Sequence, residues 1–287
     1  MINFIEISKK FKTDFWSKSF YALNGVAFKV SEGEITGFLG ANGAGKTTLI
    51  KILMGFIFAT SGSIEFDEKL GKNRREIFSK IGLLPERPYF YPYLTGREFV
   101  YYLGSLNDVK KSDLEERLIY WSKRMGIVDA LDRKLKTYSK GMLQRLGLIT
   151  TIIHEPKLVI LDEPLSGLDP IGRKELKDAI VEINKKGSTV FFSSHIVPDV
   201  EEICKNVVFL EKGKLLYNGP IDDIIEKNVK PSYIIKYFNG TEVVRVEVQN
   251  KDKEKLIQDL LVDSNNKILT VEKFKVSLEE IFYKIRT

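Results

Sequence analysis

Cysteine is almost missing from this chain of 287 residues: Cys204 stands alone, and histidine occurs only at His154 and His195. A single thiol excludes an internal disulfide framework and fits a reducing compartment. Cys204 follows Asp199 on an apparent helix and is expected to be buried rather than reactive. No apolar run approaches the roughly 18 residues that a membrane-crossing helix needs, and no secretory signal pattern is present. Nothing here is therefore expected to span a membrane. Charge of neither sign is clustered: 45 basic and 39 acidic residues leave a net +6, with lysines scattered rather than interleaved with aromatics. That charge suits an anionic membrane surface, nucleic acid or a nucleotide without choosing among them. In the absence of a basic aromatic stripe, no nucleic-acid partner is expected. An apolar share of 43% is enough for one large core and one small one.

What is present is a glycine-rich segment, Gly-Ala-Asn-Gly-Ala-Gly-Lys-Thr-Thr from Gly40 to Thr48, which fits the phosphate-loop pattern G-x-x-x-x-G-K-[ST]. Ile35, Thr36, Phe38 and Leu39 read as a buried strand entering it, and Thr48 to Met54 carries apolar residues at helical spacing. Gly40, Gly43 and Gly45 let the backbone turn sharply and bring its N–H groups toward a β-phosphate, with the positive end of the helix behind them. Lys46 is placed for the β- and γ-phosphates and Thr47 for Mg²⁺. Ala41, Asn42, Ala44 and Thr48 complete the expected nucleotide-binding set.

A phosphate loop alone leaves kinases, GTPases, helicases and transport ATPases open. Lys157 to Pro164, Lys-Leu-Val-Ile-Leu-Asp-Glu-Pro, reads as a parallel strand buried on both faces that delivers two carboxylates at its C-terminal edge. Asp162 there suits Mg²⁺ through its water shell, and Glu163 suits a general base. Just upstream, Tyr138 to Leu148 opens a helix whose stripe is Met142, Leu146, Ile149 and Ile153. Ser139 and Gly141 fall at its N-terminus, where anions are favoured. Downstream, Ser166 to Pro170 precedes a helix with Asp169 as its cap and Pro170 as its first residue. The apolar strand Thr189–Phe192 then leads through Ser193 and Ser194 to His195, at the same sheet edge.

In the order of these motifs, positions 1 to about 220 resemble the nucleotide-binding subunit of an ATP-binding cassette (ABC) transporter. The resemblance implies an α/β fold: a P-loop ABC ATPase core at 1–227 with a helical signature subdomain at about 88–150. Gly40–Thr47 would be the Walker A loop, Leu158–Asp162 Walker B with Glu163 as catalytic glutamate, and Tyr138–Met142 the signature. Ser166–Asp169 would be the D-loop, with Asp169 at the nucleotide, and His195 the switch histidine. It further implies ATP and Mg²⁺ as ligands and a second copy or paralogue of the ATPase, arranged head to tail so that Ser139 and Gly141 act on the partner's nucleotide. Phe11 takes the place of the adenine-stacking aromatic, in a segment that also carries Phe15 and Trp16. No Asn-Lys-x-Asp guanine-reading element occurs, which counts against a GTPase.

Two departures mark the chain. The common Leu-Ser-Gly-Gly-Gln signature is here Tyr-Ser-Lys-Gly-Met, with Lys140 either adding charge near the partner's nucleotide or facing solvent. Glu86 replaces the usual glutamine after the second core strand; a carboxylate can ligate Mg²⁺ or its water but cannot donate as an amide does. Both features resemble exporter-type members whose membrane subunits are separate chains. Tyr89, Phe90 and Tyr91 crowd between Pro88 and Pro92, with Tyr93 directly after, where the resemblance places transmembrane permease subunits, docked near Glu86 to Leu94; the alternative is that the rings cover the protein's own core. Thr95–Glu98 and Ser112–Glu115 read as capping boxes.

Past a composition shift near Lys227–Pro231, residues 228–287 read as a small α+β appendage. Strands Tyr233–Phe238 and Thr241–Val248 join at Asn239-Gly240, a two-residue hairpin signal. A helix from about Asp252 to Leu261, a strand Lys267–Val276 and a terminal helix capped by Ser277 follow. Of dimer support, regulation and inert packing, packing is the favoured role for it. The expected whole is an ATPase subunit on the cytoplasmic face of the cell membrane that drives solute transport, outward by analogy. A soluble ABC ATPase acting on DNA or the ribosome is the competing class, disfavoured by the short helical insertion and the single cassette.

Overall fold

The computed structural model describes residues 1–12, 19–228, 232–263, 265–273 and 277–286. Phe15, Trp16, the boundary residues 229–231 and the last three residues of the strand expected at Lys267–Val276 lie outside the described residues.

In chain order the elements are β1 (Ile2–Phe11), β2 (Phe20–Val30), β3 (Ile35–Leu39), α1 (Lys46–Leu53), β4 (Ser61–Phe66), α2 (Arg74–Phe78), β5 (Ile81–Leu84), α3 (Gly96–Ser105), α4 (Lys111–Arg124), α5 (Lys140–Ile152) and β6 (Leu158–Leu161). They continue with α6 (Pro170–Lys185), β7 (Thr189–Ser194), α7 (Val197–Ile203), β8 (Asn206–Glu211), β9 (Lys214–Pro220), α8 (Ile221–Asn228), β10 (Ser232–Phe238), β11 (Val243–Gln249), α9 (Lys253–Val262), β12 (Lys267–Lys273) and α10 (Leu278–Arg286).

The first compact unit, Met1–Pro220, is built on a six-stranded sheet in the order β5-β6-β7-β3-β8-β9. It is parallel except for the β8–β9 edge pair. Every residue of β3, β6 and β7 is buried, which is why these strands read as largely apolar segments, whereas the edge strand β9 alternates between exposed and half-buried. Register decides what meets at the C-terminal edge. Leu161 of β6 lies opposite Phe192 of β7, and Ser194 of β7 opposite Leu39 of β3, so the residues that follow these three strands emerge side by side.

A separate antiparallel sheet, β2-β1-β4, shares its core with the large one. Phe4 and Phe28 stack at 4.3 Å, Phe28 meets Phe38 at 5.9 Å, and Phe38 meets Phe191 at 5.2 Å. Leu49 and Leu53 of α1 close this core. The helical part, α3 to α5, opens on the expected capping box, in which Thr95 and Glu98 each bond the other's backbone. The second expected box is not formed. Helix α4 starts at Lys111 after an uncapped Lys110, so Ser112 lies inside the first turn, and Glu115 instead binds Arg97 at 2.6 Å and Tyr101. A tertiary ion pair there takes the side chain that the motif would have used.

Cys204 caps the C-terminal end of α7 and is half-buried as a residue, with burial raising its thiol pKa. His154 is a half-buried structural residue just beyond the end of α5. Its Nε2 contacts the Ile81 carbonyl at 3.3 Å, and burial lowers its pKa, so the neutral imidazole is the favoured form.

The second unit, Ile221–Thr287, begins six residues before the composition shift near Lys227, because α8 packs against α10. It contains the antiparallel sheet β11-β10-β12, with Ile235, Val248 and Leu260 at its centre. The hairpin forms, but its loop is four residues long. Asn239 Oδ1 accepts the N–H groups of Thr241 and Glu242, and this Asx-type turn draws both residues out of the strand expected to begin at Thr241. Ser277 caps α10 by accepting the Glu280 N–H.

Candidate active site

Leu39 hands the chain to the glycine loop, whose last residue, Gly45, caps α1 in the left-handed region at φ 112° with no side-chain cap bond. A Cβ on Gly45 would stand 2.5 Å from the Ala22 carbonyl oxygen, so only glycine fits. Without a capping side chain, the first N–H groups of α1 are left to an incoming anion. The loop borders a cleft of about 670 Å³. Ala41, Asn42, Gly43, Gly45, Lys46, Thr47 and Thr48 line it together with Glu86, Glu163 and His195, and Phe11, Phe20 and Tyr21 are also exposed to it. Gly40 and Ala44 are buried in the loop itself.

Lys46 is buried and donates from Nζ to the carbonyls of Gly40 at 2.7 Å and Ala41 at 3.3 Å. The same Nζ forms an ion pair with Glu163 Oε1 at 3.1 Å, not aligned as a hydrogen bond. The other oxygen of Glu163 meets His195 Nδ1 at 2.8 Å. Cation, carboxylate and imidazole thus form one chain across the ends of β3, β6 and β7. Glu163 has φ +50°, a left-handed conformation that a non-glycine residue holds only when its surroundings fix it.

Beside it, Ser193 Oγ donates to Asp162 Oδ1 at 2.6 Å and accepts the Glu163 N–H at 2.9 Å. Burial pushes the Asp162 carboxyl above its ordinary pKa, while hydrogen bonds from Ser193 and Thr47 act in the opposite direction. Thr47, Glu86 and Asp162 share a smaller cavity of about 250 Å³. Among the described residues no three His, Cys, Asp or Glu side chains could hold a metal by themselves. One hydroxyl and two carboxylates are nevertheless a fitting hard-oxygen set for Mg²⁺, which keeps several waters and binds through substrate phosphates.

Other expected site residues lie elsewhere. Ser139 caps α5 by accepting the Met142 N–H at 3.2 Å, and neither Ser139 nor Gly141 lines the cleft. Asp169 caps α6, accepting the Gly172 N–H at 2.8 Å, and is likewise outside the cleft lining. The aromatic segment divides: Tyr89, Tyr91 and Tyr93 are exposed, whereas Phe90 turns inward against Phe99 at 5.2 Å. Lys140 is exposed, with its ammonium group lying over Gly167.

Sequence reasoning passed over Gln144, which is buried and donates from Nε2 to the Pro164 carbonyl at 2.9 Å. The available signal was an amide within the apolar helix that follows the signature. It also treated Ser193 only as a strand end.

The family model described as ABC transporter matches residues 23–166, which contain the loop, the signature and both carboxylates. This chain belongs to the ABC transporter ATP-binding family. An uncharacterized ABC transporter ATP-binding protein of Synechocystis sp. is 36% identical over 97% of this chain and 82% of its own length. A bacitracin transport ATP-binding protein of Bacillus licheniformis is 40% identical over 70% of this chain and 65% of that protein. In fold, the solved structure of an ATP-binding subunit of an ABC transporter matches at a TM-score of 0.73, with 23% identity and all of both chains covered. This ABC subunit is therefore an ATP-binding protein and an ATPase, and among the described residues no helix is long and apolar enough to cross a membrane.

Proposed function

We propose that this ABC subunit works as one half of a head-to-tail pair, a second copy or a paralogue, that closes over ATP and opens after hydrolysis to drive solute transport by separate permease subunits. One observation carries the proposal: the cleft that gathers Lys46, Glu163 and His195 contains neither Ser139 nor Gly141, so the anion-binding tip of α5 is free for a nucleotide held by a partner.

Within the cleft, the loop amides and the uncapped N-terminus of α1 bind the phosphates, and Phe11 stacks on the adenine. Thr47 and Asp162, with Glu86 nearby, would hold Mg²⁺, which when bound would neutralise phosphate charge. Lys46 leaves Glu163 for the phosphates, and the freed carboxylate takes a proton from the attacking water while His195 fixes the carboxylate's orientation. Closure is favoured because only the triphosphate offers its terminal group to the partner's Ser139 and Gly141. Exposed Tyr89, Tyr91 and Tyr93 suit permease docking near Glu86 to Leu94, at the cytoplasmic face of the membrane. Bacitracin transport by a relative supports a role in solute movement, and the outward direction rests on the exporter-type resemblance.

The test is the dependence of ATPase rate on protein concentration. A paired mechanism gives specific activity that rises with concentration and collapses in Ser139→Ala, with ATP affinity of the dilute protein little changed. Full activity at high dilution, indifferent to that substitution, would refute it.

A further inference from the structure

Ser193 has no exposed surface, and both of its hydrogen bonds go to the two acidic residues at the end of β6. Its hydroxyl proton is given to Asp162 Oδ1 at 2.6 Å, and its oxygen receives the backbone N–H of Glu163 at 2.9 Å. The neighbouring N–H, that of Asp162, still follows the sheet ladder to the Leu84 carbonyl at 2.8 Å. At Glu163 the ladder ends, the backbone turns to φ +50°, and the hydroxyl of Ser193 takes the N–H that β7 would otherwise have met with a carbonyl. Phe191 and Phe192 precede Ser193 on β7, both fully buried, so an apolar side chain would satisfy packing at this depth. A buried hydroxyl must find hydrogen-bond partners, and those of Ser193 are these two acidic residues.

We propose that Ser193 is a positioning residue for hydrolysis: one hydroxyl locks the Asp162 carboxylate and the Glu163 backbone into a single arrangement. One oxygen of Asp162 is thereby held on β7, while the carboxylate also meets Thr47. Glu163 is held in the turn that aims its side chain between Lys46 and His195. This proposal rests on reading Asp162 and Glu163 as the hydrolytic pair.

The experiment compares Ser193→Ala, Ser193→Thr and Glu163→Gln in the full chain. It measures kcat, KM for ATP, melting temperature, and the affinity for a non-hydrolysable ATP analogue with and without Mg²⁺. Ser193→Ala is expected to lower kcat by about 10- to 100-fold, as loss of a hydrogen bond behind a metal ligand does. KM should stay within about threefold, because the glycine loop is untouched, while the gain in analogue affinity on adding Mg²⁺ shrinks. Ser193→Thr, which keeps the hydroxyl, is expected to recover both quantities. Should the alanine variant not fold, Ser193→Cys, close in size but a weak donor, is read in the same way. A kcat for Ser193→Ala within about twofold of the parent overturns the proposal. So does a loss that follows the folded fraction alone with the Mg²⁺ gain intact, or a well-folded threonine variant that recovers neither quantity. The control separates the two readings. Glu163→Gln hydrolysing like the parent removes the pair assignment itself, whereas an inactive Glu163→Gln beside a fully active Ser193→Ala removes only Ser193.

Discussion

Replacing Glu163 by glutamine keeps the shape of the side chain and deletes one buried charge, and the site predicts opposite effects on binding and turnover. Lys46 and Glu163 lie 3.1 Å apart with side chains 6% and 10% exposed. At an effective dielectric of about 20, their attraction is about 5 kcal/mol. The cost of taking both charges out of water cancels most of it. Lys46 also keeps the Gly40 and Ala41 carbonyls after the substitution, so the variant is not left with a stranded cation. A net competition of about 1 kcal/mol between Glu163 and the phosphates is a fair residue of these terms, and its removal raises ATP affinity roughly fivefold. Turnover falls, because a positioned general base contributes about 10²- to 10⁴-fold, or roughly 3 to 5 kcal/mol of barrier. Calorimetry with ATP and phosphate release at saturating Mg²⁺-ATP measure the two effects on one preparation. Hydrolysis within about threefold of the parent would refute the base assignment, and weaker ATP binding would refute the idea that Lys46 is shared between carboxylate and phosphate.

Gln144→Ala leaves the Pro164 carbonyl buried without its donor and is expected to cost about 1–3 kcal/mol. That corresponds to a fall of several degrees in melting temperature; an unchanged melting curve would count against the bond as a tie between α5 and the loop after Glu163. His154 gives a pH test. Burial, reinforced by Arg117 and opposed by the Ile81 carbonyl, holds its pKa below the ordinary 6.5. The fold therefore has this contribution in full above pH 6.5 and loses it as pH drops toward the lower folded value, where the unfolded chain takes up the proton first. His154→Gln, neutral throughout, should show a smaller fall in melting temperature between about pH 7 and 5 than the parent; equal slopes would show that His154 does not contribute to acid sensitivity.

Much of the nucleotide cleft was legible because its parts are local. A glycine loop between strand and helix, an apolar run ending in Asp162 and Glu163, and a strand ending before His195 each announce themselves within about ten residues, and parallel strands buried on both faces must present such endings at one edge. The same local logic failed where a distant partner intervened. Ser112–Glu115 has the spacing of a capping box, but Glu115 is taken by Arg97 and Tyr101. Asn239-Gly240 signals a hairpin, but the Asn239 side chain recruits two further residues into the loop.

By itself, then, the order of residues determined which chemistry is carried and which elements carry it, because strand period, glycine turns and helix caps depend on neighbours along the chain. Only the tertiary structure decided that Lys46 pairs with Glu163, that Ser193 bridges both acids, that Phe90 turns inward while its neighbouring tyrosines face outward, and that the tip of α5 stands outside its own cleft. The Lys46–Glu163 pair and the Ser193 bridge depend on strand register and on contacts between residues 31 and 117 positions apart, and no spacing within a single segment encodes which distant side chain will arrive at hydrogen-bonding distance.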